Sequence, residues 1–155
     1  MIKQRRDVLK SGSSLGVLGL LAAAGVIKPG LALAAWNESA FKAGSLEKTL
    51  AALGAGRPAT SAAISIEAPE IAENGAEVRI GVSSTLPKVE SISILIEKNP
   101  DALAAAFKLP EGTEANVQIR CRMSQTSNVY ALIKSDGKFL VAMKEVKVTL
   151  GGCGG

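Results

Sequence analysis

From Thr60 onward apolar residues recur at every second position, in about seven short runs separated by turn signals, and this predicts an all-β chain folded as an antiparallel sandwich. One helical-period stretch precedes those runs. After them the chain ends on Gly151-Gly152-Cys153-Gly154-Gly155, a lone thiol between pairs of residues with nothing to pack. The expected organisation is therefore a leader over residues 1–34, a helix-plus-sandwich domain over 35–150, and a terminal arm over 151–155.

The leader opens with Lys3, Arg5, Arg6 and Lys10, followed by an apolar stretch from Leu15 to Ile27. As a helix that stretch reaches about 20 Å, short of the roughly 30 Å of a hydrocarbon core, so it predicts an export signal rather than a membrane anchor. Ala32-Leu33-Ala34 supplies the small-x-small pattern of a cleavage site, with Ala35 beside it. Arg5-Arg6 with Val8, Leu9 and Lys10 resembles a bacterial twin-arginine signal, which implies export to the periplasm in a folded state. The leader also carries the excess charge. Without residues 1–34 the chain holds 13 basic and 13 acidic residues, a balance that gives no reason to expect nucleic acid as partner.

About 121 residues remain, the size of one domain with one core. Trp36 to Leu53 carries helical spacing: Ala40, Phe41 and Ala43, then Leu46, Leu50 and Leu53, make an apolar stripe, with Asn37 placed to cap its start. Gly44-Ser45 predicts a kink and a restart, and Gly54, Gly56 and Pro58 predict the end. Strands are then expected around Ile64 and Ile66; Val78, Ile80 and Val82; Ile92, Ile94 and Ile96; and Val117, Ile119, Cys121 and Met123. Ala102 to Phe107 reads either as one helical turn or as a short strand. Asn128–Ile133 and Lys138–Met143 flank Asp136-Gly137, a hairpin signal. Phe139, Val141 and Met143 are odd-numbered while Val146, Val148 and Leu150 are even, which predicts a bulge or a change of sheet near Lys144-Glu145.

The chain lacks histidine, and with it the usual general base and a common metal ligand. Its two cysteines are too far apart in sequence to suggest a zinc site, and no phosphate-binding glycine motif precedes a helix, so no metal and no cofactor are expected. A cysteine with no base beside it ionises near about 8.5 and is mostly thiol at neutral pH. That suits a carrier whose sulfur is activated in another protein's site, not a self-sufficient enzyme. Cys121 falls in phase with Val117, Ile119 and Met123 and is expected to face the core as a small hydrophobe, which makes it a poor disulfide mate for Cys153; a Cys153–Cys153 bridge between two chains is sterically easier. A prenylation signal is excluded because only two residues follow Cys153.

These features converge on a family. Ile71-Ala72-Glu73-Asn74-Gly75-Ala76, Glu97-Lys98-Asn99-Pro100, Met123-Ser124-Gln125-Thr126-Ser127, Asp136-Gly137-Lys138, and Lys144 to Thr149 running into Gly151-Gly152-Cys153-Gly154-Gly155 together resemble SoxY, the sulfur carrier of bacterial thiosulfate oxidation. The resemblance covers essentially the whole chain after the leader. It departs at Arg120-Cys121-Arg122, which leaves the role of Cys121 open.

The resemblance implies an immunoglobulin-like sandwich that pairs with SoxZ and carries its substrate on Cys153. It further implies that SoxAX joins thiosulfate to that sulfur, that SoxB hydrolyses off sulfate, and that SoxCD, where present, oxidises the remaining sulfane. Gly151, Gly152, Gly154 and Gly155 would let the arm enter several clefts. Leu95, Tyr130 and Leu132 read either as the SoxZ interface or as a second core layer. Two other functions compete: a ubiquitin-like carrier using the Gly155 carboxylate, which needs ATP that an exported protein lacks, and an exported sandwich with a structural or adhesive role.

Overall fold

The computed structural model describes residues 37–149; the leader, Trp36, Leu150 and the arm over 151–155, with Cys153, lie outside the described residues. The helical stretch is two short helices, α1 (Glu38–Phe41) and α2 (Leu46–Ala52). Asn37 caps the first, its side-chain oxygen accepting from the Ala40 amide at 3.1 Å. Ser45 caps the second by accepting from the Lys48 amide. Between them Gly44 takes a φ of 69°, a left-handed value suited to glycine, so the expected kink is a complete break.

Nine strands follow among the described residues: β1 (Ala59–Thr60), β2 (Ile64–Glu67), β3 (Ile71–Ala72), β4 (Val78–Ser84), β5 (Val89–Ile96), β6 (Leu103–Lys108), β7 (Asn116–Cys121), β8 (Ser127–Ser135) and β9 (Lys138–Val148). They form an immunoglobulin-like sandwich of two sheets. The larger runs β1-β9-β8-β5-β6, with β3 also on β9, and the smaller runs β2-β4-β7. The long pairings are antiparallel, whereas the two-residue strands β1 and β3 lie parallel to β9. Ala102–Phe107 resolves as strand β6. The β8–β9 hairpin turns at Asp136 (φ 49°) and Gly137 (φ 75°), the two left-handed residues that match strand twist in a tight turn.

The larger sheet is buried on both faces, and this corrects two expectations. Ile80, Ile92, Ile94, Ile96, Val129 and Ile133 fill the space between the sheets, each removed from water and contributing roughly 1.5–3 kcal/mol of burial. On the opposite face Leu95, Leu103 and Leu132 join Ala40 and Ala55 in a second core under α1 and α2, with Tyr130 partly buried at its margin. Leu95 is fully buried and Leu132 is 2% exposed, so the second-layer reading holds and neither is available to a partner protein. The predicted bulge near Lys144-Glu145 is also absent: β9 pairs with β8 in unbroken register from Ser135–Lys138 to Ser127–Val146. Phe139 and Val141 pack on the helix side, while Leu140, Ala142, Val146 and Val148 pack between the sheets. The strand does not change face. Its neighbours do.

Candidate functional site

β9 is the last described strand before Cys153 in the sequence, and its end is held from three directions. Pairing with β8 stops at Val146. Beyond it the Lys147 amide donates to the Glu70 carbonyl at 2.9 Å and the Thr149 amide to the Ala72 carbonyl at 3.1 Å, the β3 side of the grip. From the other flank Thr126 Oγ1 accepts from the Val148 amide at 3.0 Å. Below, Val148 packs on the inter-sheet core and against Gly75.

The turn at Asn74-Gly75 makes that packing possible. Asn74 Oδ1 accepts from the Ala76 amide at 2.9 Å, a side-chain turn of the kind asparagine favours. Gly75 lies outside the left-handed region, so its role is space. A Cβ here would overlap the Met123 carbonyl oxygen and come within 2.7 Å of Val148 Cγ1. The Gly75 carbonyl in turn accepts from the Met123 amide at 2.7 Å, tying the segment before β4 to the segment after β7.

Four of the five sequence blocks that carry the family resemblance meet here. Ile71–Ala76, Met123–Ser127 and Lys144–Thr149 form the grip itself. Glu97–Pro100 braces it: Ser127 Oγ accepts from the Lys98 amide at 3.0 Å, and Asn99 Nδ2 donates to the Arg122 carbonyl at 2.8 Å. The fifth block, Asp136-Gly137-Lys138, lies at the far end of the β8–β9 hairpin and is brought to none of them. An open depression of about 390 Å3, lined in part by Ser84, Thr85, Lys88 and Glu114, is also at that far end.

Cys121 stands opposite Val78 at the same end as the grip, on the edge strand β7 of the smaller sheet. Its side chain turns toward the inter-sheet core as expected, but with one flank of β7 open it is only half-buried. The thiol donates to the Val78 carbonyl at 3.6 Å, is free of any disulfide, and is pushed by burial up to about 11. This sulfur stays in its thiol form at neutral pH. Neighbouring Arg120 pairs with Glu77 at 2.8 Å in the open. Among the described residues no three histidine, cysteine, aspartate or glutamate side chains gather as a metal ion would require. What sequence reasoning missed is the grip: Ile71 and Ala72 form too short a strand for periodicity, and nothing local marks Thr126 as a partner of Val148.

No curated protein matches the chain. Among solved structures the sulfur carrier protein SoxY from Chlorobium limicola f thiosulfatophilum is similar at 37% identity and a TM-score of 0.58, over 64% of this chain and 93% of that one. A superoxide reductase (neelaredoxin) from Ignicoccus hospitalis is similar at 19% identity and a TM-score of 0.51, over 56% of this chain and 80% of its own, a likeness of fold alone. The family model described as sulfur oxidation protein SoxY matches residues 50–153, from α2 through the whole sandwich to the terminal cysteine. With the sandwich, the gripped last strand and most of the sequence inside that match, the chain belongs to the SoxY family.

Proposed function

We propose that this chain is a sulfur carrier of thiosulfate oxidation and that Cys153 is the point of attachment. The observation that carries this reading is the junction at Thr149. A strand held on both flanks runs into a terminus that is glycine but for Leu150 and one cysteine, so a fixed base presents a single nucleophile. The other cysteine is spoken for: Cys121 is half-buried, bonded to a carbonyl and hard to ionise, which leaves one sulfur suited to transfer.

In this reading the Cys153 thiol and thiosulfate combine to a cysteine S-thiosulfonate, releasing one proton and two electrons. The electrons pass to the c-type haem of a cytochrome partner, SoxAX. Water then attacks the terminal sulfur in SoxB; sulfate and two protons leave, and a persulfide anion stays on Cys153. SoxCD oxidises that sulfane where it is present, and SoxZ is the standing partner. The chain supplies no catalytic group of its own and needs no cofactor. The leader over residues 1–34 directs the folded protein to the periplasm through the twin-arginine route and is removed there.

The test is intact mass after incubation of the mature chain with thiosulfate and the cytochrome partner. The expected adduct maps to Cys153, disappears in Cys153→Ser, and persists in part when Gly154 and Gly155 are deleted. An adduct on Cys121, or one that survives Cys153→Ser, would sink the proposal. Complete loss on deleting the two glycines points instead to a carboxylate-based carrier.

A further inference from the structure

We propose that Gly75 and Thr126 are positioning residues of the carrier: by holding Lys147, Val148 and Thr149 on the sandwich they set where the arm begins, and with it the reach of Cys153. The inference rests on the carrier reading above and adds to it the device that meters the arm.

The geometry singles out these three residues. With β8 ended at the Ser127–Val146 pair, residues 147–149 would be the free continuation of one strand. Unsupported, they would lengthen the tether by about 10 Å at roughly 3.3–3.6 Å per residue. Instead each backbone amide in the segment has a partner: Lys147 on Glu70, Val148 on Thr126 Oγ1, and Thr149 on Ala72. Thr149 Oγ1 adds a longer contact to the same Ala72 carbonyl at 3.4 Å. Two of these bonds are backbone pairing that many sequences could supply. The other two elements are particular to their residues. Thr126 gives a hydroxyl at the one amide that β3 leaves unpaired, and Gly75 gives room for the Met123 carbonyl and for Val148, where a Cβ would displace both.

A gripped segment leaves four residues, 150–153, between base and thiol; a released one leaves seven, 147–153. The effective concentration of a tethered group falls roughly as the −3/2 power of tether length once the span is exceeded. Release should therefore slow delivery about twofold to a cleft that the short arm already reaches. The same change blurs the geometry of presentation, because the arm would start from a moving root.

The experiment uses the mature chain with thiosulfate and the cytochrome partner. Thr126→Val keeps the shape and deletes the acceptor; Thr126→Ser keeps the hydroxyl; Gly75→Ala pushes on both the Met123 carbonyl and Val148; and three glycines inserted after Thr149 lengthen the arm with the grip intact. Residue-resolved hydrogen exchange should show faster exchange at Val148 and Thr149 in Thr126→Val and Gly75→Ala, with Ile94 unchanged and Thr126→Ser like wild type. Loading of Cys153 should slow about twofold in both grip variants and in the insertion. Should Gly75→Ala fail to fold, Thr126→Val and the insertion carry the test. Unchanged exchange at Val148 in Thr126→Val, faster exchange without slower loading, or an insertion that loads like wild type each overturns the proposal. A wild-type chain that takes no adduct on Cys153 overturns the carrier reading itself, and the positioning role falls with it.

Discussion

At the scale of single residues, the surroundings of Cys121 set its chemistry. Burial raises the Cys121 thiol from its ordinary value of 9.0 to about 11, so the folded state holds that proton more tightly than the unfolded chain. Its contribution to stability is complete below about pH 9 and is lost as pH rises from there toward 11. Urea unfolding of wild type and Cys121→Ser across that window should converge with rising pH, because the serine variant lacks this titration. At pH 7 the substitution should destabilise by about 1 kcal/mol, the low end for a hydroxyl in an apolar site, since the Val78 carbonyl can accept from serine and one flank is open. The phase of Cys121 was legible from its strand. Its half-burial was not, because that depends on β7 being an edge strand. Glu90 titrates the other way. The Lys134 ammonium and the Gly137 amide hold its carboxyl below the ordinary 4.5, so its support for the hairpin is present above that pH and fades as pH falls below it. Glu90→Gln should flatten the acid limb of the stability curve, measured by thermal unfolding between pH 5 and 3 at low salt, where an exposed pair is least screened.

At the scale of elements, the helices matter for what they cover. Asn37 caps the first, as its sequence position suggests, and Ser45 caps the second where a restart is expected, but the purpose of the cover comes from the opposite face of the sheet. The run Ile94-Leu95-Ile96 is continuous rather than alternating, the mark of a strand buried on both sides, and its neighbours Leu103 and Leu132 complete the helix-side core. Deleting residues 37–57 should expose Leu95, Leu103 and Leu132 together, and the truncated chain should bind a hydrophobic dye and self-associate in ultracentrifugation. Substituting Ser45 with alanine is gentler: loss of the cap should cost about 1 kcal/mol in urea unfolding. The same two-sided burial explains why β9 looked broken in the sequence. Its odd residues Phe139 and Val141 are apolar where helices lie over them and its even residues where the second sheet does, while Met143 is apolar but exposed, so one straight strand reads as two phases. The pieces β1 and β3 escaped notice for a simpler reason: two residues have no period.

At the scale of the whole molecule, the sandwich is polarised. One end carries the β8–β9 turn and the open depression; the other gathers Ile71–Ala76, Glu97–Pro100, Met123–Ser127 and the end of β9. Sequence comparison could mark these segments as belonging together without saying where they meet, since their mutual bonds span 22 to 77 positions of the chain. On the proposed reading, in which the Cys153 thiol enters another protein's cleft on a short tether, the chain brings its own nearest surface against the mouth of that cleft. With residues 150–153 extended, the thiol stands within about 14 Å of Thr149 at roughly 3.3–3.6 Å per residue. β9 from Lys138 to Val148 is about 33 Å long by the same rise per residue, so the hairpin end lies beyond that reach. Contact with a partner enzyme should therefore protect amides at Ala72–Ala76, Lys98–Asn99 and Gln125–Ser127, and leave those of Asp136 and Gly137 exchanging as in the free chain. Cys153→Ser should fold with unaltered stability, because both described cores are built from residues 40–148, and should give the same protected surface if docking precedes entry of the thiol. Protection centred on the Asp136 turn would require the arm to double back along the whole sandwich, a path its length forbids.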